Sequence, residues 1–136
     1  MRSFLRQARG VLTFGLLTAN TVFWFVPVMT LALLKLLLPV TSVRRVLTRW
    51  LMWCAENWIS VNGLALRGSG SRGWRADCVD PLDRHGWYLV LANHQTWVDI
   101  VVLQVALNRR IPLLKFFIKQ QLIWFPLLGL GFWALD

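Results

Sequence analysis

Acidic residues are scarce in this chain. Only 6 Asp and Glu stand against 15 Lys and Arg over 136 residues, a net charge of +9. That imbalance calls for an anionic partner, either nucleic acid or an anionic membrane surface. Cysteine is nearly absent. Cys54 and Cys78 form no Cys-x-x-Cys and have no histidines at zinc spacing, so they read as free or buried thiols in a reducing compartment. The glycine-rich stretch 68–73 lacks the Gly-Lys-Ser/Thr ending of a phosphate loop and reads as a connection. Asp77, Asp80 and Asp83 are spaced like part of a calcium loop, but the required Gly and distal Glu are missing. They read as a solvated loop, and His85 beside Gly86 as a turn or surface histidine. No metal site is expected.

Apolar residues are what the chain has in abundance, at 57%. No charge occurs from Gly10 to Leu34, a run longer than the ~20 residues that cross a bilayer. Nucleic-acid binders carry a basic face on a soluble fold; here the arginines flank greasy segments. The membrane reading is preferred, with no nucleic acid as partner. Arg2, Arg6 and Arg9 precede the run as in a secretory signal, but it continues to Val40 with Lys35 as its main interruption. That is too long for a signal's apolar core, and an uncleaved anchor is expected. Cations lie on both sides, so the positive-inside rule gives no direction for a single span. Pro27 is a potential break into two shorter helices. A re-entrant hairpin with both ends cytoplasmic and a single tilted span both remain open.

Thr41 or Ser42 can cap a following helix. Val43, Val46, Leu47, Trp50, Leu51, Cys54 and Trp58 recur at helical spacing, with Arg44, Arg45 and Arg49 off that stripe. Trp50, Trp53 and Trp58 suit the headgroup level of a membrane, and an ordinary amphipathic helix explains the same pattern. Ile59 to Leu66 alternates enough to predict a strand with a turn at Asn62-Gly63. The expected organisation is an anchor with an amphipathic helix over 1–58, followed by a second domain over 59–136.

The second domain carries the chemistry. Trp87 to Ala92 is a short continuous apolar run, predicted as a strand covered on both faces. Asn93-His94 follows, and Asp99 stands five residues past the histidine. Ile100 to Leu107 is predicted as a buried helix ending at Asn108-Arg109-Arg110, although its β-branched residues also allow a strand. A neutral imidazole can take the proton of a hydroxyl as that hydroxyl attacks an acyl carbonyl. A carboxylate on the other ring nitrogen fixes the tautomer and stabilises the imidazolium. Residues five apart on one helix are turned about 140° from each other. His94 is therefore expected in a loop and Asp99 in the first helical turn.

The run Asn93-His94-Gln95-Thr96-Trp97-Val98-Asp99 resembles the first motif of the 1-acylglycerol-3-phosphate acyltransferase family. Downstream, Ile111 to Leu122 resembles the family's strand-and-helix segment, with Gln121 in place of its usual Glu. Trp124 to Gly129 is similar to the Pro-x-x-Gly turn, and Gly131 to Asp136 to the opening of the second motif. The resemblance covers roughly 87–136. It implies an α/β fold, with N-terminal membrane-anchoring helices followed by the first part of a mixed-sheet glycerol-phosphate acyltransferase-like domain. It also implies transfer of a fatty acyl group from acyl-CoA or acyl-carrier protein to the hydroxyl of a lysophospholipid. His94 would be the general base and Asp99 its orienting partner. Asn93 and Thr96 would support the loop; Lys115 and Lys119 would reach the phosphate or headgroup, and a solvated or interfacial role for the two lysines stays open. No cofactor is implied. The family's Glu-Gly-Thr-Arg-like motif is missing, as is its fourth motif, and Leu130 to Leu135 is an apolar strand candidate with nothing after it to cover it. A fragment of a longer enzyme is therefore expected, at the cell inner membrane or another cytoplasm-facing membrane. The alternatives are a non-catalytic membrane anchor or interaction protein, or an inactive remnant.

Overall fold

A computed structural model of the chain describes residues 2–69, 82–93 and 95–116. Its regular elements are three helices: α1 (Arg2–Leu37), α2 (Thr41–Gly68) and α3 (Trp97–Leu107). Among the described residues there is no strand and no sheet. The expected α/β mixed-sheet architecture is therefore corrected to a helical one. The segments around Gly70 to Pro81, including Asp77, Asp80 and Cys78, lie outside the described residues, as do His94 and everything from residue 117 onward.

α1 runs unbroken through Pro27, so the proline does not divide the apolar run. A proline costs a helix one backbone donor, and apolar helices accommodate this where neighbouring groups adjust. Over Gln7–Leu37 α1 is long and apolar enough to cross a membrane, judged by length and composition. Its threonines bond back to their own helix. Thr13, Thr18, Thr21 and Thr30 each donate their hydroxyl to the carbonyl four residues back, at 2.8–2.9 Å. Each bond satisfies the hydroxyl proton within the helix itself. Lys35 is buried in the last turn, where the carbonyl end of the helix favours a cation.

Leu38 precedes Pro39, a position that disfavours the helical backbone, and α1 ends there after Leu38 N–H reaches Leu34 O at 3.0 Å. α2 resumes at once. The Val40 carbonyl accepts from Arg44 N–H at 2.9 Å, so Thr41 opens the helix instead of capping it. α2 buries Leu47, Leu51, Cys54, Ala55, Ile59, Asn62, Gly63 and Leu66. The last four stand at i, i+3, i+4 and i+7, the period of a helix face. The strand predicted over Ile59 to Leu66 is thus the second half of α2, and Asn62-Gly63 is no turn. Cys54 is a buried free thiol.

The chain divides into two compact units, one of residues 1–21 and 58–114, the other of 22–57 and 115–136. In the second unit, α1 and α2 pack in opposite directions after their short connection. Ala32 meets Leu51, which is fully buried, with Val28 and Leu31 against them. A small residue opposite a large one lets the helices approach closely. Edge-on rings continue the contact, Phe23 to Trp24 at 5.4 Å, Trp24 to Trp53 at 5.7 Å and Trp53 to Trp50 at 5.8 Å. Each such pair contributes about 0.5–1.5 kcal/mol beyond its buried area.

In the first unit, α1 is joined to α2 by polar groups. Asn20 Nδ2 donates to the Trp58 carbonyl at 3.0 Å and to Asn62 Oδ1 at 2.8 Å. Trp58 Nε1 donates to Thr21 Oγ1 at 3.2 Å. α3 packs on the same stretch of α2. A Cβ built on Gly63 would lie 2.9 Å from Val105 Cγ1, and Asn108 Nδ2 donates to Ser60 Oγ at 3.0 Å. Asn108 is the residue that ends α3, as its sequence signal suggests. Arg109 follows with φ 62°, a left-handed turn that takes the chain away from the helix.

Asn62→Leu strips Asn20 of one acceptor and is expected to cost about 1–3 kcal/mol. Asn20→Leu with Asn62→Leu is expected to cost clearly less than the sum of the two single changes, since no polar group is then stranded. Denaturant unfolding in detergent micelles reads both, and strict additivity would contradict the pairing. Gly63→Val is expected to cost about 1–3 kcal/mol by overpacking, with much of the loss recovered on adding Val105→Ala. A Gly63→Val chain that melts with the wild type would show that α3 does not sit where described.

Candidate functional site

The segment leading into α3 begins with a turn. Gly86 N–H reaches Asp83 O at 3.0 Å, and Asp83 Oδ1 accepts from His85 N–H at 2.9 Å. Tyr88 folds back so that its hydroxyl accepts from Asp83 N–H at 2.7 Å. Its ring leaves no room for a side chain at Gly86, where a Cβ would lie 2.6 Å from Tyr88 Oη. His85 is thus the exposed turn residue its neighbours suggest.

The apolar run Trp87 to Ala92 then continues outside any strand. Trp87 is 99% exposed and Leu91 86%. A strand is defined by its ladder partner, and no described residue supplies one. Continuous apolarity alone could not reveal that, and the strand predicted here is corrected to irregular chain.

Beyond it lies a well-defined polar geometry. Thr96 is the N-cap of α3, with φ −135° and ψ 160°, and Asp99 is the third residue of the helix. Asp99 Oδ2 accepts from Gln95 N–H at 3.0 Å, Thr96 N–H at 2.9 Å and the Thr96 hydroxyl at 3.0 Å. In return, Thr96 Oγ1 accepts from Asp99 N–H at 3.4 Å. This reciprocal arrangement is a capping box. It satisfies backbone donors that the helix cannot, and the carboxylate also faces the positive end of the helix dipole.

Of the residues singled out in the sequence, the structure brings Thr96 and Asp99 together in this box. Asp99 stands in the first turn of α3, as the five-residue offset from His94 requires. His94 itself lies outside the described residues, as does Lys119. Asn93 is exposed just before the box, and Lys115 is exposed in the second unit. The role of the Gln95 and Thr96 amides was not foreseen. The signal for it is Thr-x-x-Asp ahead of an apolar run, which marks a capped helix start. Among the described residues, no group of three or more His, Cys, Asp or Glu is placed to hold a metal.

Residues 78–136 match a family model described as Acyltransferase. This supports an acyltransferase family and, in general terms, an acyl-transfer activity. The match spans a little under half of the chain and contains the whole of the box and α3. No curated protein and no solved structure matches.

The capping geometry makes its own prediction. Thr96→Ala is expected to lower stability by about 0.5–2 kcal/mol, with Thr96→Ser close to wild type. Circular dichroism melts of the three chains in micelles check this. An alanine chain as stable as the serine chain would contradict the box.

Proposed function

We propose that the chain is a membrane-associated O-acyltransferase of the 1-acylglycerol-3-phosphate acyltransferase type. The observation that carries this is that the acyltransferase match encloses His94 to Asp99, with Asp99 and Thr96 tied to the start of a helix. His94 acts as general base. It takes the proton of the acceptor hydroxyl as that oxygen attacks the thioester carbonyl of acyl-CoA or acyl-carrier protein. The tetrahedral intermediate collapses, the C–S bond breaks, and the imidazolium returns the proton to the leaving thiolate. Asp99 orients the imidazole and stabilises its charged form. Its tie to the Gln95 and Thr96 amides supports this role, because a carboxylate already held in place need not be ordered during the reaction.

Thr96 and Asn93 shape the loop around the base. Lys115 and Lys119 supply charge for the acceptor phosphate, and the acceptor is a lysophospholipid such as 1-acylglycerol-3-phosphate. The long apolar α1 supports work at a lipid surface, on the cytoplasm-facing side of the cell inner membrane or of a comparable membrane. The partners are then the acyl donor, the lysophospholipid and membrane lipid.

The test is acyl transfer from labelled acyl-CoA or acyl-carrier protein to a panel of lysophospholipids, using membranes that contain the chain. His94→Ala is expected to lower turnover by about 10²–10⁴, with the helical circular dichroism signal retained. Transfer by that variant at the wild-type rate would remove His94 from the mechanism. No transfer by the wild-type chain to any acceptor would contradict the proposal as a whole.

A further inference from the structure

The Thr96 hydroxyl makes two hydrogen bonds, and their lengths rank them. As helix cap it accepts from Asp99 N–H at 3.4 Å, longer than an ordinary N–H···O bond. As donor it reaches Asp99 Oδ2 at 3.0 Å, and a bond to a carboxylate is roughly twice as strong as one between neutral groups. Capping requires only the first of these. The second joins side chain to side chain and serves the carboxylate. Thr96 and Asp99 are both exposed, so packing does not confine that carboxylate. Rotation about its last side-chain bond is intrinsically broad, and hydrogen bonds must set its plane. The Gln95 and Thr96 amides reach Oδ2 at 3.0 and 2.9 Å. Both are backbone groups, which most residue types would supply. The hydroxyl is the donor that depends on the identity of residue 96.

We propose that Thr96 is a positioning residue for acyl transfer, acting through Asp99: its hydroxyl fixes the carboxylate that orients the His94 imidazole. This rests on the roles proposed above for His94 and Asp99, and it gives the helix cap a second task. A carboxylate free to swing must be ordered each time the imidazole gains its proton, and a group held in advance avoids that cost. Two properties of residue 96 coincide in threonine and come apart in other residues. Serine both caps the helix and donates a hydroxyl proton. Glycine caps nearly as well as threonine but has no side-chain donor, and alanine neither caps nor donates. Turnover therefore follows the hydroxyl, whereas stability follows the cap.

The experiment measures transfer from labelled acyl-CoA or acyl-carrier protein to 1-acylglycerol-3-phosphate, in membranes that contain the full chain. Turnover is referred to the folded fraction, read by circular dichroism. Thr96→Gly and Thr96→Ala are expected to lower kcat alike, by about tenfold, inside the ~10² that a misplacement of ~1 Å can cost, with KM for the acceptor unchanged. Thr96→Ser is expected to restore most of the turnover. In the Asp99→Ala background Thr96→Gly is expected to lower kcat no further, because residues that act as a unit are not additive. A glycine chain with wild-type kcat would overturn the role of Thr96 and leave the acyltransferase reading standing. So would a serine chain as slow as the alanine chain, or a tenfold loss that recurs in the Asp99→Ala background. No transfer by the wild-type chain would overturn both.

Discussion

The amide of Asn20 sits in a run without charge, on a helix whose threonines satisfy themselves by bonding back to their own carbonyls. Asn20 does not bond back in this way. Its two hydrogen bonds go to α2, at Trp58 and Asn62, and they determine which residues of the two helices meet in that unit. Buried polar groups of this kind tolerate few alternatives, since a shift by one residue would strand both amides. Packing of leucine on alanine could slide; a pair of asparagines cannot do so without loss.

The same turn of α2 serves the other side. Trp58 and Asn62 hold α1, while Ser60 and Gly63 receive α3 through Asn108 and Val105. One stretch of six residues thus connects the apolar α1 to the helix that carries the motif. At the other end of α3, Asp99 gathers the Gln95 and Thr96 amides. The residues next to His94 are therefore fixed to a helix, and that helix is fixed through α2 to α1.

Much of this was readable in the sequence, and the failures have physical causes. Charge distribution located the apolar helix, and the position of Asp99 in a first helical turn followed from its offset to His94. The end of α3 at Asn108 was marked by its polar residues. The expected sheet is absent among the described residues. Ile59, Asn62, Gly63 and Leu66 carry a helical period, but two of the four are not hydrophobic, so a count of apolar residues misses it. Asn-Gly is also a strong turn signal, and tertiary contacts override it here: the Asn is needed by α1 and the Gly by α3. Trp87 to Ala92 has the composition of a buried strand, yet composition does not supply a partner. Such a run announces only that something apolar must cover it.

The Asp99 carboxylate holds the loop before α3 in order. Amide hydrogen exchange on the chain in lipid nanodiscs tests it most directly. The Gln95 and Thr96 amides lie in an exposed segment and would otherwise exchange at the rate of free chain. Both are expected to be protected in the wild type and to lose that protection in Asp99→Ala, while the amides of α2 remain slow. Unprotected Gln95 and Thr96 in the wild type, or protection unchanged by the alanine, would contradict it.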